Sequence, residues 1–311
     1  MAAQTTASKA KAIAAALVQK FTLGGAVVAA PDACAAKLAA LLEAGGDELT
    51  LIMDFDRTIT SADSTSAHGV LPRVMSKGFR DTERLLFKHY YPIEQDLSMP
   101  LEKKIPLMEE WYQSNHTTMI QEHLDKNMIA DAVKGARDEG VLKLRDGAAA
   151  VLDLAFDRGV KTQILSAGLK DVIEVALRYL HRPLPKDGNA TIISNAMEWH
   201  HKYKYLVSIP GPLIHMYNKS QRSAPGAGPL GTALVVGDSL GDATMADGAP
   251  AGPTACVKVG LLNAKEPTAE AIAKYAAAFD VVILDSKDPT LAIVREICDA
   301  VVGDASAMDT G

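Results

Sequence analysis

The sequence predicts an α/β fold, a doubly wound and mostly parallel sheet that carries an inserted helical module. Three observations predict it. Short apolar runs of strand length recur at 49–53, 160–165, 233–236 and 281–284. Helical periodicity lies between them, as over 169–180. One interval, 61–144, is instead charged and helical in pattern, and it interrupts the strand–helix alternation.

Taken in order, the first thirty residues contain no acid, and Lys9, Lys11 and Lys20 sit among many alanines. That charge profile matches a mitochondrial transit peptide, but arginine is missing, and the segment reads as an extra N-terminal helix. Asp32 follows Pro31 and precedes an apolar-periodic stretch to Leu42, so a helix is expected to end near Gly45 and Gly46. The run at 49–53 is typical of a buried parallel strand. Residues 190–219 are ambiguous, and a small hairpin turning at Pro210-Gly211-Pro212 is expected there.

The bulk numbers narrow the class. The chain has 311 residues, 48% hydrophobic and 23% charged, enough to bury a sizeable core. A net charge of −6 gives no general electrostatic reason to bind a nucleic-acid polymer or an anionic membrane. No apolar run approaches the roughly 18 residues of a membrane span. Cys34, Cys256 and Cys298 are odd in number and far apart, so they read as free thiols in a reducing, cytoplasmic setting. Protein partners are left open.

Four constellations carry chemistry. Asp54-Phe55-Asp56-Arg57-Thr58 stands where the first strand ends. In extended backbone, residues two apart share a face, so Asp54 and Asp56 point together and Phe55 turns into the core. Such carboxylates either divide nucleophilic and proton-transfer work or merely satisfy backbone N–H groups at a turn. Gly237-Asp238-Ser239-Leu240-Gly241-Asp242 follows another buried strand, and its carboxylates suit Mg²⁺ if they face the first pair; otherwise they belong to an exposed polar loop. Ser166-Ala167-Gly168 sits at a strand-to-helix junction, as an anion site or an ordinary N-cap. Lys219, after Asn218, is either a phosphate-neutralising group or a solvated surface residue.

In this order, Asp-x-Asp-x-Thr, a serine, a lysine and Gly-Asp-x-x-Gly-Asp resemble the haloacid dehalogenase superfamily. Residues 54–60, 64–71 with His68-Gly69, Ile93-Glu94, Glu110-Trp111-Tyr112 with His116, Ser166–Gly168, Asn218-Lys219 and 237–248 are similar to the pyrimidine 5′-nucleotidase (cytosolic 5′-nucleotidase III) family.

The resemblance implies a haloacid dehalogenase-like core over 31–60 and 145–311, a helical cap over 61–144 and an extension over 1–30. It implies a Mg²⁺-dependent phosphatase for nucleoside 5′-monophosphates, with CMP and UMP expected. Asp54 is the implied nucleophile and Asp56 the general acid/base. The implied Mg²⁺ ligands are Asp54, the Asp56 main-chain carbonyl and Asp238, with Asp242 in support. Ser166, Ala167, Gly168 and the catalytic Lys219 would hold phosphate, Glu94 and Trp111 would meet the nucleobase, and Asn115 and His68 would also bind substrate. Asn115 stands where vertebrate members carry serine, which bears on base preference. Phosphoserine and 7-methylguanosine monophosphate are the alternative substrates, and a non-catalytic Mg²⁺-binding module is the alternative from another class.

Overall fold

Six strands form the central sheet: β1 (Leu49–Met53), β2 (Lys161–Leu169), β3 (Ala190–Asn195), β6 (Thr232–Gly237), β7 (Ala255–Leu262) and β8 (Val281–Leu284), in the spatial order β3-β2-β1-β6-β7-β8. Every neighbouring pair is parallel. The computed structural model describes residues 2–96, 98–222, 228–287 and 289–303, so the end of the expected core, 304–311, lies outside the described residues.

β1 and β6 are buried at every position. Side chains alternate across the sheet. Leu49, Leu51 and Met53 therefore enter one apolar layer, while Ile52 joins Leu165, Ala233 and Val235 in the other. Helices α6 (Ala148–Asp157), α7 (Lys170–Leu180), α8 (Ala269–Ala278) and α9 (Ala292–Val302) cover the sheet together with α2 (Pro31–Ala44).

The N-terminal segment is the expected helix, α1 (Ala2–Leu23), and it packs against α2 through the buried Ala14, Val18 and Phe21. The chain after α1 reaches the sheet edge, where Val27 forms an antiparallel bridge with Val282.

Between β1 and β2 the chain builds α3 (Lys77–Gln95), α4 (Leu101–Gln121) and α5 (Lys126–Asp138). The outgoing and returning linkers are joined by an antiparallel bridge between Thr60 and Leu144. Among the described residues, no helix is long and apolar enough to cross a membrane. The three cysteines are free thiols, as expected.

Three sequence expectations change. β3 and β7 were not among the anticipated strands. β3 lies at the sheet edge and ends in Ser194 and Asn195, while Lys258 and Gly260 break the apolar run of β7. The hairpin in 190–219 pairs β4 (Glu198–Trp199) with β5 (Leu206–Ser208) and turns through 200–205, not at Pro210-Gly211-Pro212. Lys204 supplies the positive φ of 61° that this turn requires. Finally, β2 does not stop before Ser166 but continues to Leu169 through an irregularity, so the N-cap of α7 is Leu169.

Candidate active site

In an open parallel sheet, ligands bind beyond the carboxyl ends of the strands where the order reverses. Here that place is around β1, flanked by β2 and β6. Asp54 directly follows β1 and still bonds the ladder, its N–H donating to Val236 O at 3.0 Å. Asp238 directly follows β6, and Ser166 lies in the C-terminal half of β2. Three strand ends therefore carry the candidate residues that the sequence places after three apolar runs.

Asp54, Asp238 and Asp242 converge, with a carboxylate oxygen of each within 4.8 Å of the others. Lys219 enters from a short helical turn and is almost fully buried. Its Nζ donates to Asp54 Oδ1 at 2.5 Å and to Asp242 Oδ1 at 2.7 Å. Asp242 Oδ2 accepts from Ser239 N at 2.9 Å, which closes the turn after β6. That turn needs Gly237, because a Cβ there would lie 2.1 Å from the Asp242 Cβ.

Burial, with Asp242, Asp238 and Asp56 adding repulsion, pushes Asp54 well above the ordinary carboxylate range, and Lys219 opposes the shift. Burial and then Asp242 push Asp238 up to about 7. Burial pulls Lys219 down, but Asp242 and Asp54 outweigh it and hold the ammonium charged. Three carboxylates against one ammonium leave an ionised cluster doubly negative. Hard oxygen donors with that charge fit Mg²⁺, which binds through one or two carboxylates plus substrate phosphate.

Asp56 stands apart from that triad. Its Oδ1 accepts from Ala67 N, in the outgoing linker, at 2.8 Å. Burial pushes it up to about 6, against the Ala67 N–H and the charges of Lys219 and Arg57. A carboxyl near that value can give and take a proton at neutral pH.

Ser166 is buried and its Oγ accepts from Gly168 N at 3.0 Å. A Cβ on Gly168 would stand 2.8 Å from Ala67 Cβ, so the phosphate-loop candidate and the linker beside Asp56 touch closely. Asn195 was not singled out in the sequence. Its Nδ2 donates to Ala167 O at 2.8 Å and to Ile214 O at 2.9 Å, and its Oδ1 accepts from Ile214 N at 2.9 Å. The available signal was a polar residue closing the apolar pair Ile192-Ile193, the same pattern that exposes Asp54.

The expected nucleoside residues lie on α3, α4 and the outgoing linker. Trp111 stacks on Tyr90 with ring centroids 5.8 Å apart and planes 14° off parallel, so Tyr90 already covers one of its faces. Phe87 and Tyr112 meet it edge-on. Asn115 lies one turn further along α4 and is half-buried. His68 stacks on His116, with Nε2 atoms 3.4 Å apart, and packs edge-on against Tyr112.

Tyr112, also absent from the expected site set, joins the two halves. Burial, then Glu94 and Asp56, raise its hydroxyl pKa, with Lys219 opposing, so it feels charges from both α3 and the end of β1.

Glu94 is in the last turn of α3, and its carbonyl is held from both sides. Lys104 Nζ donates to Glu94 O at 3.1 Å and to Asp96 O at 2.5 Å. Tyr217 Oη donates to the same Glu94 carbonyl at 3.2 Å. Lys104, itself buried, thus closes the helix end, where free carbonyls and a partial negative charge gather.

A sequence profile of the family described as Pyrimidine 5′-nucleotidase (UMPH-1) matches residues 57–302. The 7-methylguanosine phosphate-specific 5′-nucleotidase of Mus musculus is 32% identical over 269 residues, spanning 82% of this chain and 85% of that protein. The protein of the same name from Gallus gallus is 33% identical over 280 residues, covering 86% and 92% of the two chains. A crystal structure of cytosolic 5′-nucleotidase IIIB (cN-IIIB) bound to cytidine superposes with a TM-score of 0.78 over 91% of this chain and 97% of that one, at 23% identity. That likeness establishes a shared fold.

Proposed function

The chain belongs to the pyrimidine 5′-nucleotidase family and is a 5′-nucleotidase, and from that premise we propose that it hydrolyses nucleoside 5′-monophosphates through a phosphoryl-aspartate on Asp54, with Mg²⁺ as cofactor. The observation that carries the reading is the buried Lys219–Asp54 ion pair at 2.5 Å, set among Asp238 and Asp242 at the end of β1. Lys219 opposes the upward pKa shift that burial and the neighbouring carboxylates impose on the nucleophile.

Asp54 Oδ attacks phosphorus, forming the aspartyl P–O bond as the P–O5′ bond breaks. The leaving nucleoside oxygen takes a proton from Asp56. Asp56, now ionised, removes a proton from water as that water attacks phosphorus, which frees Asp54 and phosphate. Covalent catalysis thus splits one hard step into two. Ser166 Oγ, the 167–168 backbone and Lys219 supply donors for the phosphoryl oxygens.

Asp54, Asp238 and the Asp56 carbonyl, with Asp242, would hold Mg²⁺. When bound, the cation supplies neutralisation of the repulsion between phosphate and the attacking carboxylate.

Helices α3–α5 act as the cap in this reading. Glu94, ionised, accepts hydrogen bonds only, so it selects a base edge that presents a donor. The cytosine exocyclic amine meets that requirement, and so does the amine-bearing edge of 7-methylguanine. The family description favours CMP and UMP. The relatives from Mus musculus and Gallus gallus, named for 7-methylguanosine phosphate, favour 7-methylguanosine monophosphate as the second reading. The aromatic set around Trp111 suits it as well, since a cationic ring gains from aromatic faces. A cytoplasmic enzyme without membrane or nucleic-acid partners is the setting proposed.

The deciding experiment measures phosphate release from CMP, UMP, purine monophosphates, 7-methylguanosine monophosphate and phosphoserine, with Mg²⁺ and in excess chelator. We expect nucleotide turnover with Mg²⁺, none in chelator and recovery when Mg²⁺ is restored. Full activity in chelator overturns the cofactor. Preference for phosphoserine overturns the role of the cap.

A further inference from the structure

Outside the catalytic set, one buried network joins both linkers to the carboxylate cluster. Arg145 is the first residue after the Thr60–Leu144 bridge, and its own N–H donates to Ile59 O at 2.9 Å. Its side chain is buried, yet every one of its donors is used. Nε donates to Thr58 O at 3.2 Å. One terminal nitrogen donates to Asp285 Oδ1 at 3.2 Å and Pro289 O at 3.0 Å. The other donates to Arg57 O at 2.6 Å and Asn263 Oδ1 at 2.7 Å. Only a planar guanidinium presents five N–H groups in that fixed fork.

Asn263 follows β7 and passes the constraint on. Its Oδ1 faces the Arg145 donor, and its Nδ2 donates to Arg57 O at 2.9 Å and to Asp238 Oδ2 at 3.2 Å. No other amide orientation suits those partners, because a carbonyl and a carboxylate only accept. One oxygen of Asp238 is thereby engaged and the other is left for a cation. The Asp238 backbone is held as well, with Tyr275 Oη donating to its carbonyl at 2.6 Å.

The shared acceptor, Arg57 O, has its own significance. Arg57 adopts φ 59° without being glycine, and its N–H donates to Thr60 Oγ1 at 2.8 Å. That left-handed conformation is disfavoured for an L-residue. It turns the chain directly after Asp56, and Arg57 is held at both its N–H and its carbonyl.

We propose that Arg145 and Asn263 form a positioning relay that orients the Asp238 carboxylate and the turn at Arg57 that follows Asp56, so that the Mg²⁺ site is set before substrate arrives. The inference rests on the Mg²⁺ reading above. Outer partners of this kind are worth about 10–100-fold in metal affinity.

Calorimetric titration of the substrate-free protein with Mg²⁺ alone tests the relay, with Tm recorded for each variant. Asn263→Ala should weaken Mg²⁺ binding by about tenfold or more while Tm changes little. Arg145→Lys should weaken it too. Because Arg145 acts partly through Asn263, the double variant should lose less than the product of the two single losses. A folded Asn263→Ala protein with wild-type Mg²⁺ affinity overturns the relay, as do effects that simply multiply. If Arg145→Lys fails to fold, the Asn263→Ala titration decides alone. If the wild-type protein does not bind Mg²⁺, the cofactor reading fails and the relay fails with it, an outcome distinct from a wild type that binds and a variant that binds equally well.

Discussion

Lys219 Nζ lies 2.5 Å from Asp54 Oδ1, although the two residues are 165 positions apart in the chain, and neither side chain is more than 7% exposed. Removing one partner of such a pair leaves an uncompensated buried charge, which typically costs about 3–5 kcal/mol. The pair therefore has a structural role beside the chemical one proposed, and variants must be read for both.

Asp54→Asn keeps the shape and can still meet Lys219, which retains Asp242 as an anionic partner. We expect turnover to fall below detection with a folded protein. Steady-state phosphate release alongside a melting curve checks this. Substantial turnover in a folded variant removes Asp54 as the nucleophile.

Asp56→Asn should slow both bond breaking to the leaving oxygen and hydrolysis of the aspartyl phosphate, by about 10²–10⁴-fold for loss of a general acid/base. With Asp56 acting on the leaving group as proposed, the first step should suffer less with p-nitrophenyl phosphate, whose leaving group hardly needs a proton. Burst kinetics on that ester against a nucleotide make the comparison. Near-wild-type rates on both would exclude the role.

Glu94→Gln and Trp111→Ala should raise KM for nucleotides and alter base preference while sparing p-nitrophenyl phosphate, which has no base to read. Loss of an aromatic stack is worth about 1–3 kcal/mol by analogy with nucleic-acid binders. Equal losses on both substrates would mean that these residues support the fold.

Tyr217→Phe deletes the hydroxyl that bonds the Glu94 carbonyl and leaves the ring beside Lys104. A neutral hydrogen bond contributes about 0.5–1.5 kcal/mol. The variant should raise nucleotide KM severalfold at nearly constant kcat, with Lys219 two positions away undisturbed. A drop in kcat on p-nitrophenyl phosphate would show that the change reaches the core.

His68 and His116 give a pH signature. Burial, joined by the charge of His116, lowers His68 to about 3, and burial lowers His116 to about 4. Unfolded histidines titrate near 6.5. Below that pH the unfolded chain binds protons that the folded pair refuses, so their contribution to stability falls as pH drops from about 6.5 toward 4. His116→Gln should lose less Tm between pH 7.5 and pH 5 than the wild type does. An identical loss in both proteins would mean that the pair is protonated in the folded state.

The sequence by itself determined the local parts of this protein. An apolar strand followed by Asp54-Phe55-Asp56, and another followed by Gly237-Asp238, already place carboxylates at strand ends, because the period of extended backbone and the reach of a few residues are local facts. Phe55 is buried for the same reason. The edge strand β3 and the interrupted β7 escaped notice, since an apolar run is the signature of burial on both faces and neither carries one intact.

Whether Lys219 is a solvated lysine or the partner of Asp54 and Asp242 was not legible, because nothing within its own neighbourhood specifies a neighbour 165 residues away. The same holds for Arg145, which met no motif and yet makes five hydrogen bonds to residues from three segments of the chain. Asn195 and Tyr217 likewise became meaningful only through what they touch. Parallel strand order brings together chain segments that are distant in sequence, and the electrostatics of a buried site depend on which charges meet there. Those meetings are decided by the packing of the sheet and the helices above it.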